Sequence, residues 1–267
     1  MPAEHVTTWM QQTRCRIREA GNMKQDANMT PLCLNDTFRF SCSARVPCFN
    51  ECCRNLNQFL TPYDILRLKK SLGLLSGLFL ERYTTQHMGP QTGLPIVTLK
   101  ADHDRELKCP FVTSAGCSVY QDRPSSCRTY PLVRILTRSK ETGRINEQYA
   151  LLREAHCLGF DREQDQTVEA WIEHQELSIY NRMNDMLMEI IRLKNRWIPG
   201  QLDIPSRQLF YMACYDLDRF RSYIFENKDT EAPNLSPDIW GKIEKDDELL
   251  LEIGLQWIKQ RLFGRFV

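Results

Sequence analysis

The distribution of cysteines is the feature that most constrains how this chain can fold. The 267 residues include 11 cysteines, and eight of them lie in one region. These eight are Cys42, Cys48, Cys52, Cys53, Cys109, Cys117, Cys127 and Cys157. Thiolates are soft anionic ligands that suit Zn²⁺ or the irons of a cluster better than calcium or magnesium. We therefore predict that this region folds around metal held by the eight cysteines, as an iron–sulfur cluster of the 4Fe–4S type or as zinc.

The remaining composition is that of an ordinary globular protein. Hydrophobic residues make up 42% of the chain and charged residues 26%, which is enough to bury a core. The 35 basic and 34 acidic side chains nearly cancel, so nucleic acid and anionic membrane are unfavourable partners. We find no signal-peptide pattern and no run of about eighteen uncharged apolar residues. We therefore expect a cytoplasmic protein, in which thiols stay reduced and available for metal.

The spacing of the cysteines leaves the number of metal centres open. The pairs Cys48-x₃-Cys52 and Cys109-x₇-Cys117 are joined by a longer connection, as is typical of structural metal sites. Cys53 directly follows Cys52, and adjacent side chains point in different directions on a strand or a helix. We therefore do not expect both to bind the same ion. Either the eight cysteines form two sets of four, or one cysteine of the adjacent pair is an ordinary buried thiol.

Arginines near the cysteines are candidates for contacting the bound group. A four-thiolate site carries net negative charge, which is costly to bury without donors or cations. Arg54, Arg123 and Arg128 are close in sequence to predicted ligands. Arg128 directly follows Cys127 and is predicted to bind the cofactor, by donating to sulfur or to an anionic substrate. The alternative is that these arginines are solvated surface residues. His156 is a further ligand candidate, because it precedes a predicted ligand.

Local patterns predict an α+β fold in three segments. Residues 1–37 are expected to form an N-terminal arm, residues 38–162 a small, mixed, loop-rich metal-binding region with short strands and helices, and residues 163–267 a mainly α-helical region. The clearest start signal is Thr61-Pro62-Tyr63-Asp64, which has a capping residue, a proline at the first helical position and an acid three residues after the cap. Ser76 is expected to cap a second helix. The other predicted elements are a strand over 94–99, a hairpin over 132–152, a helical stripe from 167 to the break at 199–200, a helix from about 206 and a last helix over 237–263.

At these residues the chain resembles the YkgJ-type cysteine-cluster family, whose members carry a zinc- or iron-chelating domain. The matching elements are Phe40-x-Cys42, the block from Cys48 to Cys53, Cys109-Pro110, Gly116-Cys117-x-x-Tyr120, Arg123-Pro124-x-x-Cys127-Arg128-x-Tyr130-Pro131 and His156-Cys157-x-Gly159. The resemblance implies a metal centre, and it extends distantly to flagellin lysine N-methylase, a relative regarded as an iron–sulfur enzyme. Five residues separate Cys42 from Cys48 where the compact family pattern has two, so Cys42 matches the family less well.

Three functions follow from these patterns. The first is a metal-binding protein with a structural, electron-carrying or sensing centre, whose helical tail adds stability or a surface for a protein partner. The second is an iron–sulfur enzyme that modifies a protein side chain, which rests on the family resemblance. The third, a zinc module that binds nucleic acid, is disfavoured because no basic helix follows the cysteine pairs. We find no phosphate-binding glycine loop, nucleophile elbow or His-Glu-x-x-His helix. The first function is therefore the predicted one.

Overall fold

A computed structural model describes residues 28–54, 57–101, 107–139, 142–160, 165–228 and 232–264, and it confirms the α+β class. The strands are β1 (Met29–Leu32), β2 (Thr37–Arg39), β3 (Phe59–Leu60), β4 (Thr84–Met88), β5 (Pro95–Leu99), β6 (Val112–Thr113), β7 (Gly116–Cys117), β8 (Leu132–Arg138), β9 (Ile145–Leu152) and β10 (Asp165–Thr167). The α-helices are α1 (Pro62–Ser71), α2 (Ser76–Tyr83), α3 (Ser125–Thr129), α4 (Val168–His174), α5 (Leu177–Trp197), α6 (Ile204–Cys214), α7 (Leu217–Glu226), α8 (Pro237–Ile243) and α9 (Asp247–Phe263). None of the helices in these ranges has the length and apolar character needed to cross a membrane.

The chain divides into two compact units, each built from two separate stretches of sequence. Unit 1 comprises Met1–Glu51 and Arg128–Glu176, and unit 2 comprises Cys52–Cys127 and Leu177–Val267. This division cuts across the three predicted segments, because each unit takes part of the predicted metal-binding region. Most of the predicted N-terminal arm lies outside the described residues, but its end forms β1, which belongs to a sheet.

Unit 1 contains two small antiparallel sheets and α4. The first sheet has the order β1-β9-β8, and the predicted hairpin of β8 and β9 pairs Leu132 with Leu151. The second sheet pairs β10 with β2. An aromatic cluster fills the unit, with the ring of Phe40 5.3 Å from that of Phe160 and 5.7 Å from that of Trp171, measured between centroids.

Unit 2 has a single hydrophobic core that both of its stretches share. The sheet β3-β5-β4, the hairpin of β6 and β7, and helices α1 and α2 come from the first stretch, and α5 to α9 come from the second. Buried side chains from both stretches pack together; for example, the rings of Tyr63 in α1 and Tyr180 in α5 lie 4.8 Å apart and edge to face. The helical tail is therefore part of the same core as residues 52–127.

The described helices confirm one predicted start signal and correct three other predictions. At α1, the Thr61 hydroxyl accepts the Asp64 N–H at 3.3 Å and the Asp64 carboxylate accepts the Thr61 N–H at 2.8 Å, as a capping box requires. Ser76 is the first residue of α2 and not its cap, since its hydroxyl donates to Asp216. Glu176, at φ +50°, separates α4 from α5. The predicted last helix is two helices, α8 and α9.

Candidate metal centre

Five of the eight predicted ligands lie in unit 2 and three in unit 1, and all eight carry free thiols. Those in unit 2 are Cys52, Cys53, Cys109, Cys117 and Cys127, and those in unit 1 are Cys42, Cys48 and Cys157. We call the five cysteines of unit 2 the unit-2 thiol group. Of the three cysteines outside the predicted set, Cys214 is buried in a helix and Cys33 is disulfide-bonded, so Cys33 offers no thiolate. Cys15 lies outside the described residues.

A short backbone pairing brings the adjacent cysteines to Cys109. Cys52 and Cys53 lie in a 3₁₀ turn, Glu51–Cys53, and the Cys109 N–H donates to the Cys53 carbonyl at 2.8 Å. An antiparallel bridge between Arg54 and Lys108 continues this pairing. Hydrogen bonding to Cys52, followed by burial and the neighbouring thiols, strongly raises the pKa of Cys53. The two adjacent thiols are therefore hydrogen-bonded to each other, and the expectation that they do not both bind the same ion stays a prediction.

Backbone N–H groups are arranged around the sulfur atoms of Cys109 and Cys117. Burial raises the pKa of Cys109, while hydrogen bonds from the N–H groups of Phe111 and Val112 oppose that rise. Burial also raises the pKa of Cys117, and a hydrogen bond from the Val119 N–H opposes that rise. The tight hairpin of β6 and β7 fixes these donors, because it turns the chain back directly after Cys109. Donors of this kind stabilise a thiolate.

Arg123 lies beside a thiol of this group. The residue is 8% exposed, its guanidinium lies 3.9 Å from the centroid of the Tyr120 ring, and it donates to the Tyr120 carbonyl. Its positive charge lowers the pKa of Cys117. This cation is suited to offset the negative charge of a thiolate site.

The contacts of Arg128 tie it to the end of α4. It is 2% exposed, donates to the Gln175 carbonyl at 2.6 Å and lies 3.5 Å from the Glu176 carboxylate. These contacts give Arg128 a structural role within unit 1. Its predicted binding to a cofactor stays a prediction.

Cys127 lies in α3, held by two polar side chains that the sequence analysis did not assign to the site. The Cys127 thiol donates to Gln58 Oε1 at 3.7 Å, and Asp64 Oδ1 accepts the Ser125 N–H at 2.8 Å. Asp64 is fully buried, which raises its pKa, whereas hydrogen bonds from Thr61 and Ser125 oppose the rise. Asp64 was recognised only as part of a helix start, and nothing in the sequence near Gln58 distinguishes it from other polar residues.

The thiols of the unit-2 group influence one another. Cys127 is exposed as a residue, but burial of its thiol raises the pKa of that thiol to about 12. The neighbouring groups Cys109, Asp64, Cys117 and Cys52 add to the rise. As they are arranged here, no three histidine, cysteine, aspartate or glutamate side chains among the described residues form a set that could hold a metal ion. The donor set nevertheless fits a soft metal, because thiolates are its preferred ligands and a cation would remove their mutual repulsion.

The unit-1 cysteines are in a different setting. Cys48 Sγ accepts the Leu158 N–H at 3.1 Å, so the loop after β9 contacts the loop that contains Cys48. Burial raises the pKa of Tyr130, and its neighbour Cys157 adds to the rise. Cys42 is exposed. Nothing in these contacts distinguishes a metal site from ordinary packing.

His156 lies near a carboxylate of its own loop. Its Nε2 is 3.8 Å from Glu154, and about half of its side chain is exposed, at 48%. The histidine thus has a surface contact in unit 1, and its role as a ligand stays a prediction.

Comparison with known proteins identifies the cysteine region. Residues 41–165 match the model of the CxxCxxCC family, described as a "putative zinc- or iron-chelating domain", and this range contains all eight predicted ligands. No curated protein and no solved structure matches the chain. The comparisons thus support a metal-binding role without supporting the relation to flagellin lysine N-methylase. Over residues 41–165, the chain is therefore similar to the CxxCxxCC family of zinc- or iron-chelating domains.

Proposed function

We propose that this protein binds a metal centre through the unit-2 thiol group, as zinc or as an iron–sulfur cluster. The ligands are Cys109, Cys117, Cys127 and one of the adjacent pair Cys52 and Cys53, since a tetrahedral site or a cubane cluster takes four thiolates. The observation that carries the proposal is that cysteines from three distant stretches lie close enough to raise one another's pKa.

The same observation argues against a nucleophilic role for these thiols. A catalytic cysteine needs a lowered pKa, because the thiolate is the reactive form. Here burial raises the pKa of Cys109, Cys117 and Cys127, and hydrogen bonding to Cys52 together with burial raises that of Cys53. Neighbouring thiols add to the rise at Cys53, Cys109 and Cys127. A divalent cation or a cluster reverses this balance, since it displaces the protons and is attracted to every thiolate.

The fixed donors add to this preference. The N–H groups directed at Cys109 and Cys117 would remain hydrogen-bonded to sulfur after metal binding, and Arg123 would offset the charge beside Cys117. Zinc in such a site would stabilise the fold, and an iron–sulfur cluster would also supply an electron. Cys42, Cys48 and Cys157 remain candidates for a second centre.

The second candidate function is an iron–sulfur enzyme that modifies a protein side chain. Cys109 lies in the wall of a small depression together with Gln58, Leu99 and Lys100, but this depression has room only for a water molecule. This function requires iron, so a colourless zinc protein would exclude it.

Anaerobic purification followed by an absorption spectrum and metal analysis tests the proposal. A brown protein that absorbs near ~400 nm indicates an iron–sulfur cluster, and a colourless one with stoichiometric zinc indicates a closed site. Cys117→Ser and Cys127→Ser should each lose the metal. Cys214→Ala, which changes a buried helical cysteine outside the site, should keep it. A parent protein without zinc or iron under these conditions contradicts the proposal.

A further inference from the structure

A buried carboxylate contacts the first turn of the helix that carries Cys127. Asp64 is 0% exposed, and its Oδ1 accepts the Ser125 N–H at 2.8 Å. The Ser125 hydroxyl lies 3.3 Å from Oδ2 of the same carboxylate. Ser125 is the first residue of α3, and Cys127 is the third. A helix of five residues is too short to be stable by its own hydrogen bonds, so outside contacts must fix its position.

The carboxylate is itself fixed by α1. Asp64 Oδ2 accepts the Thr61 N–H at 2.8 Å, and the Thr61 hydroxyl accepts the Asp64 N–H at 3.3 Å. Ile65, Leu66 and Leu68, which follow Asp64 in α1, are each at most 2% exposed within the unit-2 core. Asp64 therefore connects α3 to one of the best-packed helices of the unit.

The hydrogen bond from the Ser125 N–H to Asp64 is not needed to cap the start of α1. The capping box is complete with one carboxylate oxygen, and the acid in such a box usually stays near solvent. Here the whole carboxyl group is buried, at a cost that is acceptable only when its oxygens accept hydrogen bonds. Its second oxygen is directed at the backbone of α3. Gln58 supports the same helix from another side, with its Oε1 3.7 Å from Cys127 Sγ.

We propose that Asp64 is a positioning residue for the metal centre, holding α3 so that Cys127 can act as a ligand together with the other thiols of unit 2. The inference rests on the proposed function. It assigns Asp64 no contact with the metal, since the carboxylate oxygens are bonded to Thr61 and Ser125. Residues that orient a ligand in this way typically change metal affinity about 10- to 100-fold when they are replaced.

Titration of the reduced, metal-free full-length protein with Co²⁺ tests this inference, because charge-transfer absorption from sulfur to cobalt reports the number of bound thiolates. Asp64→Ala should bind Co²⁺ about 10- to 100-fold more weakly, with the reduced charge-transfer intensity of the Cys127→Ser protein. Asp64→Asn should recover most of the intensity, since its amide oxygen can still accept the Ser125 N–H.

A second pair of variants tests the contact without changing Asp64. Ser125→Pro removes the N–H that Asp64 accepts and is compatible with the first position of a helix. Ser125→Ala keeps this N–H while it removes the longer hydroxyl contact, so it serves as the matched control. We expect the proline variant to lose Cys127 ligation and the alanine variant to keep it. If circular dichroism shows that Asp64→Ala does not fold, the two Ser125 variants alone test whether the contact between Asp64 and Ser125 positions Cys127.

The outcomes separate this inference from the proposed function. If the parent protein gives no sulfur-to-cobalt absorption, the unit-2 thiol group is not a metal site and both ideas are wrong. If the parent gives that absorption, and folded Asp64→Ala or Ser125→Pro protein matches it in affinity and intensity, Asp64 does not position Cys127. The metal-site proposal then stands alone.

Discussion

The close approach of two backbone segments in unit 1 depends on a single glycine. The Ser41 N–H donates to the Gly159 carbonyl at 2.9 Å. A Cβ atom on Gly159 would lie 2.7 Å from the Phe40 ring and 3.0 Å from the Ser41 carbonyl oxygen. Both distances are shorter than normal contacts, and Phe40 is held by Phe160 and Trp171, so the ring has little room to move. Close packing therefore explains why the motif has glycine at position 159.

We predict that Gly159→Ala destabilises unit 1 by about 1–3 kcal/mol, the usual cost of overpacking. Hydrogen exchange of the amides in β8 and β9 measures the effect, which should appear as faster exchange. Gly241→Ala is the matched control, because Gly241 lies in α8 with no atom within 4 Å of the added Cβ. That change should stabilise the helix by about 0.5–1 kcal/mol. Unchanged exchange in Gly159→Ala would show that the loop adjusts freely.

Asp218 is the centre of a partly buried charge network in unit 2. Its carboxylate lies 2.9 Å from the Lys69 ammonium and accepts the Ser76 N–H at 2.6 Å and an Arg221 N–H at 2.9 Å. Burial opposes ionisation, but the Ser76 N–H and the Lys69 charge lower the pKa of Asp218. A lowered pKa in the folded state stabilises the protein above the unfolded pKa of about 3.9, and that stabilisation is lost as the pH falls through the folded pKa.

We predict that Asp218→Asn lowers the free energy of unfolding by about 1–3 kcal/mol at pH 7. The difference from the parent should shrink below about pH 4, where the parent carboxylate also becomes protonated. Urea denaturation followed by circular dichroism at several pH values gives both quantities. Asp238→Asn, which removes the same charge at an exposed position, should have little effect. A difference that stays constant down to pH 2 would contradict this account.

At the residue scale, the sequence predicted the thiols of the site but not the groups that surround them. Cysteines are recognisable because few other residues have their chemistry. The role of Asp64 depends on Ser125, 61 residues later, and that of Gln58 on Cys127, 69 residues later. Long-range contacts of this kind have no local sequence signal. Arg123 was named together with Arg128, and the structure adds that its charge opposes the rise in the pKa of Cys117.

Among the helices and strands, predictions succeeded where the signal is local. The capping box at Thr61 and Asp64 and the hairpin of β8 and β9 both involve neighbouring residues, and both are present. The predicted helix over 237–263 failed because the five charged residues from Glu244 to Glu248 were not recognised as the break between α8 and α9. A start signal was present there, since Asp246 is followed by two acidic residues that favour the first turn of a helix.

We predict that Asp246→Ala lowers the free energy of unfolding by about 1 kcal/mol, the usual cost of losing an N-cap. The Asp246 carboxylate accepts the N–H groups of Glu248 and Leu249, both at 3.0 Å, and alanine leaves these donors without it. Urea denaturation measures the change. Ser236→Ala is the matched control, because Ser236 precedes α8 but makes no capping bond with its side chain. Equal effects of the two substitutions would contradict a specific role for the Asp246 cap.

For the whole molecule, the main difference from the sequence prediction is that both units are discontinuous. Strand β1 pairs with β9, more than a hundred residues later, with Met29 opposite Leu152. Helix α1 packs against helices of the C-terminal tail, in a core that also contacts Cys109 and Cys117. The cysteine-rich part of the chain is followed by apolar residues at helical spacing, and this change suggested a boundary near residue 163. Composition could not show that the tail completes the core of residues 52–127.

This shared core determines what metal removal should do. If the segments were independent, loss of metal would expose the central region while the tail kept its helices. Because Cys109 and Cys117 pack against the same core as α5 to α9, we now predict one cooperative transition for unit 2. Metal at a thousandfold excess over its dissociation constant contributes about 4 kcal/mol. Chelation should therefore lower the midpoint of the helical signal at 222 nm by about 10 °C. The same chelator should leave the Cys127→Ser protein unchanged. A tail whose helices melt at the same temperature with and without metal would show that it folds independently of the metal centre.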